Sequence, residues 1–265
     1  MKTSLMDTEK TAIIAINDNS FSVALSISKF LNNCDLYVKD GVAIDKDVHT
    51  FNDLKTVFKS VFNGYKRIVA VMALGIATRM ISGLPKDKRK DPAIVVVDSA
   101  GRFAISLLSG HEGGANDLAL DVCSAVGAQP VITTATESLK RYVLGIGSRK
   151  DLKSETIEKA VEEACKMCGI DVSQIRLAAS CWQKKGDISL QKALDKLKLK
   201  AVFLPKHRYL TDVYCVDETK AKKYLGIKSV AEMSALLVSF NPEFILRKTS
   251  FNGVSIAIVK ENLNG

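Results

Sequence analysis

The sequence predicts an α/β protein built from two α/β domains, each with a mainly parallel or mixed sheet flanked by helices. Three observations point there. The chain has 265 residues, more than one domain commonly uses. Short β-branched runs alternate with amphipathic helical stretches along its whole length, the pattern of strand–helix layering. A polar stretch, Glu-Ser-Leu-Lys-Arg at 137–141, separates the apolar run PVITT from a fresh one, YVLGIG. That break predicts domains at residues 1–138 and 139–265.

In the first half the expected strands are Thr11–Ile16, Asp35–Val38, Arg67–Met72, Ala93–Asp98, Phe103–Leu107 and Pro130–Thr133. Each is a short β-rich run bounded by polar or turn residues. The expected helices are Ser20–Leu31, Phe51–Phe62, Ile76–Ser82 and Gly114–Val126. The last places Ala115, Leu118, Ala119, Val122, Cys123 and Val126 on one apolar face, the spacing of an amphipathic helix. In the second half, strands are expected at 142–147, Gln174–Ala178, Ala201–Leu204 and Val254–Val259. Helices are expected at Ser154–Cys168, Ile188–Leu197 and Ser229–Val238. Ser154 reads as an N-cap and Gly169 as the residue that ends the same helix.

Composition narrows the function classes. Hydrophobic residues make up 47% and charged residues 25%, which excludes disordered and collagen-like chains. No apolar run approaches the ~18 residues of a membrane helix, and the opening residues are not expected to act as a secretory leader. A cytoplasmic protein without membrane contact is the expectation. The net charge is +9, and it is unevenly placed. Residues 1–138 hold 15 basic and 15 acidic residues, so the whole excess belongs to residues 139–265. A basic half suits an acidic partner, but no nucleic-acid motif accompanies it, so nucleic acid is not expected.

The six cysteines are too sparse for a disulfide scaffold. Cys165 and Cys168 form C-x-x-C, yet they share the apolar face of Ile157, Ala160, Val161 and Ala164. With no second pair to complete a zinc site, core packing is the better reading, and no protein-bound metal is expected.

Residues 103–116, FAISLLSGHEGGAN, carry the chemistry. A β run enters a glycine-rich turn and a helix follows at once. Such a turn presents unpaired N–H groups at the positive end of a helix, suited to an anion. Gly110, Gly113 and Gly114 allow a close backbone approach. His111 is one of only three histidines, and an imidazole, with a reference pKa near ~6.5, trades protons near neutrality. Glu112 beside it is a second acid–base candidate. The dinucleotide, P-loop and nucleophile-elbow fingerprints are all missing.

Longer motifs add a resemblance. Residues 74–137 resemble the N-terminal region of the cobalt-precorrin-5A hydrolases of anaerobic cobalamin biosynthesis, the CbiG family. The matching pieces are G-I-A-x-R at 75–79, D-K-x-x-D-P at 87–92, V-V-V-D-x-x-G-R at 95–102, L-L-S-G-H-x-G-G-A-N at 107–116 and P-V-I-T-T-A-T at 130–136. The second half is similar to the CobE/CbiG C-terminal domain through V-L-G-I-G-S-R-K at 143–150, K-S-V-A-E-M-S-A-L-L at 228–237 and G-V-S-I-A-I-V at 253–259. The family often has Cys where Ser148 stands. It also commonly inserts a middle region where only residues 137–142 join the halves here.

The resemblance implies hydrolysis of the δ-lactone of cobalt-precorrin-5A, with loss of acetaldehyde to give cobalt-precorrin-5B. Cobalt then belongs to the substrate and no cofactor is implied. The partners implied are the cobalt corrinoid and neighbouring enzymes of the pathway. In that reading His111, Glu112 and Asn116 are the catalytic candidates, with the Gly113 and Gly114 N–H groups facing an oxyanion. Ser109, Gly110, Gly113, Gly114, Arg79, Lys88, Arg102, Thr133, Thr134 and Arg149 are the substrate-binding candidates, the basic ones suiting the corrinoid's carboxylates. The missing middle region keeps an alternative open: a non-catalytic protein that binds or channels the cobalt corrinoid.

Overall fold

The computed structural model describes residues 10–31, 33–42 and 48–263. The chain divides into two compact units, Met1–Thr134 and Ala135–Gly265, where the sequence reading puts the junction after residue 138.

The first unit runs β1 (Thr11–Ala15), α1 (Asp18–Leu31), β2 (Cys34–Lys39), β3 (His49–Phe51), α2 (Leu54–Gly64), β4 (Arg67–Val71), α3 (Leu74–Ile81), β5 (Ala93–Val97), β6 (Phe103–Leu108), α4 (Ala115–Val126) and β7 (Gln129–Val131). Its seven strands form one sheet in the order β3-β2-β1-β4-β5-β6-β7. Strands β1 and β5 bury every residue, as strands covered on both faces do. Alternate side chains serve opposite cores. Ile13, Val69 and Val95 pack with α1 and α4, while Ile14, Ile68 and Val96 pack with α2 and α3.

Two helix starts differ from the expectation for a local reason. α1 begins at Asp18 rather than Ser20, because the Asn17 side chain accepts the Ser20 N–H at 2.9 Å and Ser20 Oγ accepts the Asn17 N–H at 2.9 Å. α2 begins at Leu54 because the Asp53 carboxylate caps it, accepting the Thr56 N–H, and residues 49–51 before it form the short edge strand β3.

One strand direction positions the site. β1, β2, β3, β4 and β5 are mutually parallel, whereas β6 pairs antiparallel with β5 through a hairpin at 98–102. β7 then runs parallel to β6. The carboxyl ends of β6 and β7 therefore lie at the amino edge of the five parallel strands. The turn after β6 emerges beside the segment that enters β5.

The second unit runs α5 (Ala135–Ser138), β8 (Tyr142–Ser148), α6 (Ser154–Met167), β9 (Ile175–Cys181), α7 (Ile188–Lys196), β10 (Ala201–Leu204), α8 (Lys220–Leu225), α9 (Ala231–Leu237), β11 (Pro242–Phe251) and β12 (Val254–Glu261). Its sheet has the order β10-β9-β8-β12-β11 and is mixed, with β8, β9 and β10 parallel and β12 antiparallel to both neighbours. Helix α9 lies so close to β8 that a Cβ on Gly145 would sit 1.8 Å from the Ala231 carbonyl oxygen. Glu261, 1% exposed, receives the Arg176 guanidinium at 2.8 Å and the Phe240 N–H at 2.9 Å. Cys165 packs in this unit's core. Trp182 stacks edge-on against Tyr209 within the unit.

The sequence reading has no counterpart for β11, α5 or α8. It also assigns the wrong cap to α6. Lys153 occupies the N-cap, without a side-chain bond, and Ser154 is the first helical residue. Gly169 does follow the helix with φ 64. Among the described residues, no helix is long and apolar enough to cross a membrane.

Candidate functional site

The chain leaves β6 at Leu108 and reverses through Ser109, Gly110, His111, Glu112, Gly113 and Gly114 before α4 begins. Ser109 and Gly114 take left-handed backbone, φ 58 and φ 86. The Ser109 carbonyl accepts the N–H groups of Gly113 at 3.1 Å and Ala115 at 3.2 Å, and the Gly110 carbonyl accepts that of Asn116 at 3.0 Å. The turn is thus folded onto itself. A Cβ on Gly113 would lie 2.3 Å from the Ser109 Cβ, and one on Gly110 would lie 3.0 Å from Asn116 Oδ1. At Gly113 a side chain would collide with Ser109, and at Gly110 it would crowd the Asn116 amide and Thr134.

This bonding corrects one expectation. The Gly113 N–H is not available for an oxyanion, because it is already donated to Ser109. The bonds that close the turn leave out the Gly114 N–H.

Asn116 is 8% exposed, and its amide is spent on holding elements together. Oδ1 accepts the Ser106 hydroxyl at 2.8 Å, and Nδ2 donates to Thr134 Oγ1 at 3.1 Å. It ties β6, α4 and the segment after β7 into one block. Both amide atoms are therefore engaged within the protein, where the sequence reading has Asn116 as a catalytic candidate. Ser106 is a participant the sequence reading missed. Its signal was a hydroxyl inside the apolar run FAISLL.

The segment entering β5 closes over the same turn. Ser109 Oγ donates to the Asp91 carbonyl at 3.1 Å, and Lys88 Nζ meets Glu112 Oε1 at 3.0 Å. Asp91 shapes its own loop, its carboxylate accepting the N–H groups of Lys86 and Asp87. His111 and Glu112 stand exposed at the tip, and Thr133 is exposed beside half-buried Thr134. So Lys88, Ser109, Gly110, His111, Glu112, Gly113, Gly114, Asn116 and Thr134 meet at one corner.

Two basic candidates of the same unit are not drawn into it. Arg102 stands at the start of β6, and seven extended steps at ~3.3 Å put it roughly 20 Å from Ser109. There it closes the hairpin: Asp98 accepts its N–H at 2.7 Å and its Nε at 2.9 Å. Burial works to raise the Asp98 carboxyl, but hydrogen bonds from Arg102 and Phe103 hold it below the usual carboxylate range. The length of β6 thus separates Arg102 from the corner. Arg79 is exposed in the second turn of α3, which starts at the carboxyl end of β4. Arg149 belongs to the second unit, where it lines a cleft of that unit. Among the described residues, no group of three or more His, Cys, Asp or Glu side chains clusters as metal ligands do.

The corner can present an imidazole, a lysine-paired carboxylate and a helix N-terminus to one polar ligand. Comparison with known proteins gives that chemistry a context. The family model for the cobalamin synthesis G N-terminal region matches residues 56–137, and that for the cobalamin synthesis G C-terminus matches residues 142–259. A cobalt-precorrin-5A hydrolase of Priestia megaterium is 36% identical over 134 residues, covering 49% of this chain and 36% of the relative. One of Salmonella typhimurium is 48% identical over 79 residues, covering 30% of this chain and 22% of the relative. The matched stretch thus spans little more than a third of the first relative and less than a quarter of the second. A solved structure of CobE, a protein from the cobalamin (vitamin B12) biosynthetic pathway, is 22% identical, covers 46% of this chain and 94% of its own, and superposes with a TM-score of 0.42.

Proposed function

The chain belongs to the cobalamin synthesis G family, and we propose that it hydrolyses the δ-lactone of cobalt-precorrin-5A, releasing acetaldehyde and leaving cobalt-precorrin-5B. The observation that carries this reading is a convergence. Three segments far apart in sequence, at 87–92, 107–116 and 130–136, meet at the turn that displays His111.

In the proposed reaction, His111 takes a proton from water as the oxygen adds to the lactone carbonyl. The acyl C–O bond breaks, giving a carboxylic acid and an alcohol. The alcohol then loses its proton and its C–O becomes the carbonyl of acetaldehyde. The electron pair of the adjoining C–C bond passes to the macrocycle, which takes up a proton. One imidazole can serve as base and then as acid, a contribution typically of ~10²–10⁴-fold. The Gly114 N–H and the α4 N-terminus face the developing oxyanion, where one donor typically contributes ~3 kcal/mol. Lys88 holds Glu112 and offers a cation to a peripheral carboxylate. Cobalt travels with the substrate, and the proposal includes no resident metal or cofactor.

The test is to incubate the purified chain with cobalt-precorrin-5A, and to follow acetaldehyde and the mass change of lactone opening. His111→Gln is expected to lower turnover at least ~100-fold with an unchanged thermal melt. Corrinoid binding by the parent chain without acetaldehyde release would overturn the hydrolase in favour of a binding protein.

A further inference from the structure

The second unit carries a cleft that the proposed chemistry does not use. It opens at the carboxyl ends of β8 and β9, where ligands of open α/β sheets commonly sit. Its volume is about 1060 Å³, at the upper end for small-molecule sites. Five cationic side chains line it, Arg149, Lys150, Lys184, Lys220 and Lys248, against two carboxylates, Asp151 and Asp187. Lys184 and Asp187 are paired at 2.8 Å, so the remaining lining is strongly cationic.

The cleft is built rather than incidental. Arg149 is anchored by its backbone, its N–H donating to the Gly253 carbonyl at 3.0 Å, while its carbonyl accepts Lys184 Nζ at 3.3 Å. Gly253, φ 92, turns the β11–β12 hairpin against the Arg149 side chain. Two hydroxyls in the lining are buried and make no hydrogen bond, Ser148 Oγ and Ser229 Oγ, and Ser229 is 0% exposed. A buried hydroxyl without a partner is costly. Both belong to lining residues, so the polar atoms of a ligand in the cleft can offer the partners these hydroxyls lack while the cations neutralise its charge. The rest of the basic excess is different. Lys159, Lys166 and Lys192 stand on exposed helix faces, where charge serves solubility.

We infer that this cleft is a second ligand site, specific for a molecule bearing several carboxylates. Resting on the function proposed above, its occupant is the corrinoid, held by its acetate and propionate arms. Ser148 and Ser229 are the hydrogen-bonding groups at the site, with Arg149 and Lys248 the counter-charges.

Binding to the full chain is read by absorbance titration with three probes. Cobyrinic acid is a cobalt corrin with free carboxylates, cobinamide is its amidated counterpart, and citrate is a small polycarboxylate. The parent is expected to bind cobyrinic acid at least tenfold more tightly than cobinamide. Arg149→Gln with Lys248→Gln, and separately Ser229→Val, should each weaken cobyrinic acid at least fivefold. Lys159→Gln with Lys192→Gln, on exposed helix faces outside the cleft, should leave that binding unchanged. If the cleft variants weaken citrate but not cobyrinic acid, the corrinoid is not the occupant. If neither probe responds, the site itself is overturned. Failure of the hydrolase reading shows separately, as absent acetaldehyde from a parent chain that still binds the probes.

Discussion

Asn116→Ala isolates the link that holds the candidate site together. The substitution removes two hydrogen bonds, to Ser106 at 2.8 Å and to Thr134 at 3.1 Å. Each is worth about 1 kcal/mol net, and leaving both hydroxyls unpaired adds a desolvation cost. Ser106 and Thr134 are half-buried, so water recovers part of that cost. The expected loss is about 2–3 kcal/mol. For a unit of this size that is roughly 6–10 °C in melting temperature, read by circular dichroism. Turnover should fall about 10- to 100-fold at a temperature where the variant is folded, mainly in kcat, because the turn loses its seat on β6. Thr134→Val removes one of the two bonds, and a double-mutant cycle should return coupling of about 1 kcal/mol. An Asn116→Ala protein that melts like the parent yet releases no acetaldehyde would refute the positioning role, since the amide would then act on substrate directly.

Other outcomes follow from the same geometry. Arg102→Ala should leave acetaldehyde release within about twofold of the parent, since Arg102 closes a hairpin at the other edge of the sheet. A tenfold loss would put it back in the site. Asp98 and Asp187 both have carboxyls whose tendency to rise on burial is outweighed by hydrogen bonds, from Arg102 and from Lys184 respectively, so both lie below the usual range. Their stabilisation is therefore complete above about pH 4 and disappears as pH falls through the lowered folded-state values. Urea midpoints measured from pH 6 to pH 3 should fall more steeply for the parent than for Asp98→Asn. Burial pushes the Cys165 thiol up to about 11, so only ~10⁻³ of it is thiolate at pH 8. Iodoacetamide at pH 8 should label exposed Cys215 well before Cys165, and equal rates would contradict the packed reading of C-x-x-C.

Where the sequence reading worked, the signal was local. The helix at 115–126 declares itself through Leu118, Ala119, Val122 and Cys123 on one face, and β1 and β5 through unbroken apolar runs. The missed elements have weak or ambiguous local signals. β11 is an edge strand with half-exposed, mixed side chains, and its one strong local cue is the Asn252-Gly253 pair that follows it. Both of those residues have positive φ, 46 and 92, the two-residue hairpin turn that Asn-Gly favours. β3 is three residues long, too short for a period to show.

By itself the sequence determined the α/β class, a glycine-rich turn between β6 and α4, and the motif segments around His111. These depend on side-chain period, backbone sterics and local order, which neighbouring residues specify. Only the tertiary structure decided how those pieces are used. It consumed the Gly113 N–H within the turn, spent Asn116 on Ser106 and Thr134, and paired Lys88 with Glu112. It also gathered Arg149, Ser148 and Ser229 into a cleft of their own. The physical reason is strand direction. β6 crosses the sheet once, which puts its two ends on opposite edges, and running antiparallel to β5 brings its carboxyl end beside the segment that enters β5. Arg102 and Ser109, seven residues apart in the chain, serve different surfaces.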